Sequence, residues 1–468
     1  MLGIVLLAIS LILYFQPKYR YLSYFLYLSF MMGYSGGFGL WTDSVLEIQN
    51  KDIAIVYTFT INIYLIINGK FHLPHLPWIK YYKLLVLFII ACVLFSLIYY
   101  DFSPYQVLQG GRSYLLLASL PILVQIKHAE LYKLLQLLIL MTVVTSGLYI
   151  LQIVFGRPIM PYAGEGSVDQ TVGLIRLYNS PANLSFYLTL SFIAPQYFKG
   201  KIIVYRLLFF TALMCTLGRT GIFTGIMMVF LALAMTGKFS NISKYAILIG
   251  IMLIPFWGTL SNRFERGNTQ NDLQQILRGD FGKNYENSDA TMTYRFAWVY
   301  ERANYMIHRP LCEQIFGLGL ISESQKRTHQ LYHFNIGLYN GETGHINQLS
   351  TPDIAYGNLL VNLGFVGLII YIVFFFHLTV FFFKNRKIHP IYTVCSAASI
   401  IMLISSFSGS VFSQPQTFSI YFIFIPICLS IKKKYQQQHE SNSHRIRSGQ
   451  SNALLLRVFG HAGSKSSR

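Results

Sequence analysis

The chain is poor in charge, and poorest in acid. Charged residues make up 12% of its 468 residues, about half the share found in soluble domains. Only 18 of them are Asp or Glu, which argues against a water-exposed surface over most of the chain. Cysteine is sparse too. The five, Cys92, Cys215, Cys312, Cys395 and Cys428, stand far apart, with no CxxC pair and no Cys/His cluster at zinc spacing. Neither a disulfide framework nor a structural metal is expected. Alternating apolar–polar segments of about ten residues, the mark of a membrane β-barrel, are missing, and so is an internal repeat. The opening stretch MLGIVLLAISLILYF has no basic leader and no cleavage site, so it reads as a retained first span.

What the chain has is hydrophobic length. Apolar residues are 53% of it, gathered into runs long enough to cross a bilayer core of about 30 Å. Candidate spans fall near 2–15, 20–34, 53–68, 82–99, 113–126, 134–155, 181–198, 202–217, 220–236, 244–260, 354–383, 391–408 and 416–431. The expected fold is an all-α polytopic integral membrane protein of about 12–13 helices with one large outer loop. The expected divisions are an N-terminal bundle over 1–260, the loop over 261–352, C-terminal helices over 353–431 and a disordered basic tail over 432–468. The run 202–236 is awkward, because as one helix it would measure about 52 Å, too long for a single crossing. Its centre, LMCTLGRTGIFTG, supplies a break, with Gly218 and Gly221 as turn residues. Arg219 then sits at a helix–helix turn, and an ionisable residue at such a depth is usually functional. Gly221 and Gly225 form a small-xxx-small pair of the kind that packs helices.

Threading these spans divides the charges by side. One set of loops carries Lys18, Arg20, Lys70, Lys80, Lys83, Lys127, Lys133, Lys199, Lys201, Lys238, Lys244, Lys384, Arg386 and Lys387; this is the cytoplasmic side by the positive-inside rule, with Lys51 the main exception on the other side. The net charge of +19 would suggest nucleic acid in a soluble protein, but here the basic loops account for much of it, and no nucleic-acid partner is expected. The opposite side carries Arg112, Arg157, Arg176 and Arg219, and every acid except Glu130 and Glu440. Arginine grips phosphate in a two-pronged fashion that lysine cannot, and orientation alone does not call for arginine on an outer face.

The large outer loop holds the strongest chemical signal. TMTYRFAWVYERANYMIHRP reads as a helix closed by Pro310. Arg295, Arg302 and Arg309 recur every seventh residue, which keeps them on one helix face with a drift of about 20° per heptad. That face could follow an anionic head group, or it could be the solvated side of an amphipathic helix on the membrane. A polar stretch follows with His329, His333, Glu342 and His345, and then Asp353 stands at the head of the next span. Asp353 reads as a general base or as a helix N-cap. Arg157 and Arg176 flank the second-largest outer loop, as ligand contacts or as ordinary interfacial arginines.

Taken in order, RFAWVYERA, RPL, GLGL and DIAYGNLLVNLGFVG resemble the large-loop signature of the O-antigen polymerase and O-antigen ligase superfamily, and LGRTG is similar to that family's mid-chain Arg turn. The layout agrees over roughly residues 150–410. The resemblance implies a glycosyltransferase without metal or cofactor at the outer face of the bacterial inner membrane, with an undecaprenyl-diphosphate-linked oligosaccharide as substrate. It also implies diphosphate binding by Arg219, Arg295 and Arg302; Arg157 and Arg176, from their place in the second outer loop alone, are further candidate contacts. Partners would be the lipid bilayer and, in the same pathway, a flippase and a chain-length regulator. Ligases of the superfamily have a histidine eleven residues before the first glycine of the post-loop span; here that position is Asp353, which resembles the polymerase branch. Asp353 and then His345 are the expected catalytic groups. The alternatives are a ligase, a lipid-linked sugar flippase, and a glycosyltransferase working through Asp43, Glu47 or Asp52 in the first outer loop.

Overall fold

The computed structural model describes residues 2–32, 49–157, 159, 167–169, 174–176, 180–237, 244–245, 247, 249–251, 253, 291–340, 344–427 and 429–430. Asp43, Glu47, Glu342, Cys428, the 261–290 part of the large loop and the tail lie outside the described residues. What is described is mainly helical, with connecting turns and two short hairpins. Among the described residues three helices have the length and apolarity to cross a membrane: α4 (Ile79–Ile98), α7 (His128–Phe155) and α14 (Ala355–Asn385). Shorter apolar helices accompany them, among them α1 (Leu2–Phe15), α8 (Leu184–Ile193), α9 (Ile202–Cys215), α10 (Arg219–Met235) and α15 (Pro390–Ser405). A membrane protein with an all-α fold follows from this.

Local chemistry explains where several elements stop. The break at LGRTG is present: α9 ends at Cys215, α10 begins at Arg219, and the left-handed residue between them is Leu217 (φ 51°), not a glycine. Gly225 lets α8, α9 and α10 meet, since a methyl there would lie 2.7 Å from a Leu213 methyl and 2.9 Å from Ser185 Oγ. The expected span 113–126 is different in form. Its helix, α5 (Pro104–Leu115), starts at Pro104 because Ser103 and Gln106 make a reciprocal capping box; it then tightens through a 3₁₀ turn (Leu116–Ser119) into the short α6 (Leu120–Leu123). The expected span 416–431 is likewise a chain of short pieces, a 3₁₀ turn at Pro415–Phe418 followed by α16 (Ser419–Phe422).

Some polar groups inside the bundle pair between helices. Ser23, on α2 (Arg20–Met32), donates to Ser10 O (2.7 Å) and bonds Tyr57 Oη of α3 (Asn50–Ile67) at 2.7 Å. Such bonds between membrane helices are worth about 0.6–2 kcal/mol each.

The part of the large loop that is described begins with α11 (Thr291–Ile307), continues through α12 (Leu311–Phe316) and α13 (Lys326–Leu331), and ends in a hairpin of β3 (Tyr339–Asn340) and β4 (His345–Ile346). It is attached to the bundle backbone to backbone. Gly317 (φ 85°) ends α12, and the Leu318 N–H donates to Val361 O (2.8 Å). Opposite, α14 is broken at Gly364 (φ 71°, ψ −177°). A Cβ on Gly364 would sit 2.3 Å from Ile315 O, and one on Gly317 would sit 2.6 Å from Val361 O. The kink exposes the carbonyl that Leu318 needs, and only glycine fits on either side.

Beside it, Glu313 is buried and takes Arg309 Nε and Nη2 (2.7 and 3.0 Å) and Tyr99 Oη (3.0 Å), fastening α12 to the end of α4. Gly364→Ala is expected to destabilise the detergent-solubilised protein by about 2 kcal/mol or more. Gly147→Ala, in α7 with nothing within 4 Å of the new methyl, is expected to change stability by less than about 0.5 kcal/mol. Thermal unfolding of the two variants checks this, and equal midpoints contradict the junction.

Candidate functional site

Arg295 and Arg302 lie on α11, whereas Arg309, expected on the same helix face, falls two residues beyond the helix end at Ile307; the three do different things. Arg302 is wholly buried. Its guanidinium stacks between Trp298 (4.1 Å) and Phe334 (4.4 Å). It donates to Gln348 O through Nε (3.2 Å) and Nη2 (3.0 Å) and to Glu301 Oε2 through Nη1 (2.7 Å). Burial pushes this guanidinium down to about 10, with the Glu301 charge opposing. The diphosphate role that the resemblance implies for Arg302 does not fit this geometry; the residue clamps the loop. Arg309 serves Glu313, as above. Arg295 is the one that reaches the head of α14: its Nη2 lies 3.4 Å from Asp353 Oδ1, with the two side chains 14% and 30% exposed.

Asp353 does not cap the helix. The N-cap position is Ile354, without a side-chain cap bond. The chain before it is fixed by Asn358, whose amide accepts from Thr351 N (2.9 Å) and donates to Thr351 O (2.7 Å). Of the two readings of Asp353, the ion pair and an accessible carboxylate are what the structure has. Tyr294, one residue before Arg295, belongs to the same group. Burial raises its phenol, the Thr351 hydroxyl pulls it down and the Asp353 charge raises it further, so it stays a neutral donor at physiological pH. Sequence reasoning missed it, because one tyrosine in a chain with 33 carries no signal.

Arg219 opens α10. Its turn borders a groove of about 420 Å³ lined by Gly218, Gly221, Thr216, Ser185, Leu213 and Met228, and on the far side by Ser405 and Val411. The loop that starts at Ser405 also receives the start of α14: the Ala355 N–H donates to Ser406 O and to Gly409 O, both at 3.0 Å. One loop therefore touches both the groove at the Arg219 turn and the residue two beyond Asp353. The groove is lined by both apolar side chains, such as Leu213, Met228 and Ile401, and hydroxyls, such as Ser185, Thr216 and Thr224, and the Arg295–Asp353 pair stands at the helix start joined to it.

The remaining candidates lie elsewhere. His345 lines a separate cleft of about 1020 Å³ with His329, His333, Gln330, Asn335 and Tyr339, its ring 5.0 Å from that of His329. The contacts seen among the described residues do not join it to Asp353. Arg157 follows the left-handed C-cap Gly156 of α7 and is exposed. Arg176 lies on the second strand of a hairpin, β1 (Ser167–Asp169) with β2 (Leu174–Arg176), that rests on α7. Asp52, expected in the first outer loop, lies instead in the first turn of α3, which it caps by accepting from Gln49 N (2.9 Å), and it pairs with Arg112 (3.6 Å). Beside it, burial lowers the Lys51 ammonium to about 8; Arg112 adds to the drop and Asp52 opposes it. Among the described residues no group of three His, Cys, Asp or Glu side chains could hold a metal ion.

Two further carboxylates, unforeseen from the sequence, hold the loop by collecting backbone N–H groups. Glu301 accepts from Asn335 (2.8 Å) and Ile336 (3.1 Å). Glu323 accepts from Gln348 (2.5 Å), Leu349 (2.8 Å) and Ser350 (3.1 Å). No protein-family model matches the chain, and no curated protein matches it.

Arg302→Met removes the donor that holds Gln348 O and leaves Glu301 short of a partner, at a cost of about 3 kcal/mol. Limited proteolysis across residues 332–350 is expected to speed up by at least tenfold. Arg302→Lys should behave almost as badly, since a point charge cannot reproduce the stacked fork. Unchanged cleavage in both variants contradicts the clamp.

Proposed function

We propose that the chain is a metal-independent membrane glycosyltransferase that polymerises undecaprenyl-diphosphate-linked oligosaccharide repeat units, at the outer face of the bacterial inner membrane, into an O-antigen or a capsular or exopolysaccharide. The observation that carries the reading is the Arg295–Asp353 pair at the head of α14. It stands where an outer helix, a membrane helix and the loop bordering the Arg219 groove converge. The order of motifs described above supports the same reading.

The chemistry asks for two things, a cation for the departing diphosphate and a base for the attacking hydroxyl. Charge-assisted N–H···O bonds run to about 2.7–2.9 Å, so a pair at 3.4 Å is loose and open to exchange. An arriving diphosphate takes Arg295 in two-pronged contact, and this releases the Asp353 carboxylate. The acceptor sugar hydroxyl then gives its proton to Asp353 and forms the new glycosidic bond, while the anomeric carbon–oxygen bond to the carrier breaks. Undecaprenyl diphosphate leaves with both electrons of that bond, held by Arg295 and, at its own turn, by Arg219. Fixed cations aimed at developing charge in a partly dry site typically supply 10²–10³-fold, and a placed base about 10²–10⁴-fold.

Deleting the gene and running the surface polysaccharide on a gel tests the proposal. Loss of the ladder with retention of lipid core plus a single repeat unit is the expected result. Core without any repeat, while long chains accumulate on the carrier, means a ligase instead. Repeat units trapped on the cytoplasmic side mean a flippase. In complemented strains, Arg295→Ala and Asp353→Asn are each expected to cut chain growth by at least a hundredfold with the protein still present in the membrane; full ladders from both would sink the site assignment.

A further inference from the structure

A second groove lies at the lysine-marked face, away from the LGRTG turn: α9 starts beside Lys201 on this face and reaches that turn at its other end. It has a volume of about 490 Å³ and opens between α2, the first half of α7 and the segment from Lys199 to Tyr205. Its α7 wall is graded. Lys133, Leu137 and Leu140 recur at i, i+4 and i+7, so they share one helix face, and Val143 continues it downward. From Lys133 to Val143 the wall is about 15 Å deep. The top is cationic and aromatic. Lys133 Nζ sits over the Tyr21 ring at 5.2 Å, and Lys199 faces it from the other wall.

The walls are built, not incidental. Gln136 Nε2 donates to Tyr197 O (2.5 Å), tying α7 to the turn that carries Lys199, and Tyr205 Oη donates to Lys199 O (2.7 Å). Among the described residues neither ammonium has a carboxylate within ion-pair distance. The acid nearest in sequence, Glu130, is occupied by Arg20 (3.7 Å) and by the N–H of Lys127 (3.1 Å).

We infer that this groove is a binding site for one anionic diacyl phospholipid. Its phosphate lies between Lys133 and Lys199, with the tyrosine rings at head-group level and an acyl chain along Leu137, Leu140 and Val143. Two facing ammonium groups favour a net-negative head group over a zwitterionic one, and basic pockets between membrane helices are known to select on that ground. The length of aliphatic wall below the cations fits a lipid and gives a free phosphate nothing to hold. The inference is independent of the glycosyltransferase reading, since none of these residues belongs to that site.

Native mass spectrometry tests it on the full chain released from nanodiscs of equal phosphatidylglycerol and phosphatidylethanolamine. Wild type is expected to retain phosphatidylglycerol preferentially. Lys133→Gln with Lys199→Gln should weaken that retention by roughly thirtyfold, about fivefold per lysine, and leave phosphatidylethanolamine unchanged. Val143→Trp, which fills the acyl wall with both lysines intact, should also lower it, and it serves as the test if the double variant does not fold. Equal retention of the two lipids by wild type, or wild-type retention in the variants that fold, overturns the inference. So does displacement of the lipid by glycerol 1-phosphate, which would make this a soluble-anion site.

Discussion

The structure depends on one contact between two stretches of backbone. The Leu318 N–H reaches Val361 O because Gly317 turns with positive φ and α14 is broken at Gly364. A broken membrane helix leaves carbonyls without partners, and in a bilayer such groups cost several kcal/mol each unless protein supplies a donor. Here the segment between α11 and α14 supplies one. The same contact fixes where that segment sits, and so where α11 carries Arg295. Glu313 reinforces the junction from inside, gripped by Arg309 and by Tyr99 at the end of α4.

From that anchor the loop is held both by buried apolar side chains, Trp298, Met306, Leu318, Leu320 and Phe334 among them, and by charge. Arg302, Glu301 and Glu323 gather carbonyls and N–H groups from residues 335–350. Buried networks of this kind are rigid when every member is satisfied and costly when one is lost. These bonds run up to the head of α14: Glu323 holds the N–H groups of Gln348, Leu349 and Ser350, Asn358 holds Thr351, and Asp353 meets Arg295 two residues on. The pair, at 3.4 Å, is longer than the Arg302–Glu301 and Arg309–Glu313 contacts, both 2.7 Å.

The fold class was legible because membrane helices announce themselves by composition and length, and the LGRTG break because 202–236 is too long for one crossing. The start of α5 was not, since Gln106, Gln109 and Arg112 look like loop residues until the Ser103–Gln106 capping box is seen. In the site, the heptad spacing of Arg295, Arg302 and Arg309 placed them on one face but could not say what each one meets. That depends on Gln348, Glu313 and Asp353, which tertiary contacts bring to the helix from far along the chain. The N-cap reading of Asp353 failed for a similar reason: Asn358 holds Thr351 from inside the helix, and the carboxylate points to Arg295. Tyr294 had no periodicity to mark it at all.

The central claim is chain growth on a diphosphate carrier with Arg295 and Asp353 as the reacting pair. It is tested most directly with the purified protein in lipid nanodiscs, supplied with a lipid-linked repeat unit in excess EDTA, with products read by mass spectrometry. The account predicts oligomers that lengthen by whole repeat units, one released undecaprenyl diphosphate for each new linkage, and neither in Arg295→Ala or Asp353→Asn. Unchanged lipid-linked monomer with the wild-type protein, or equal polymer from the variants, would contradict it.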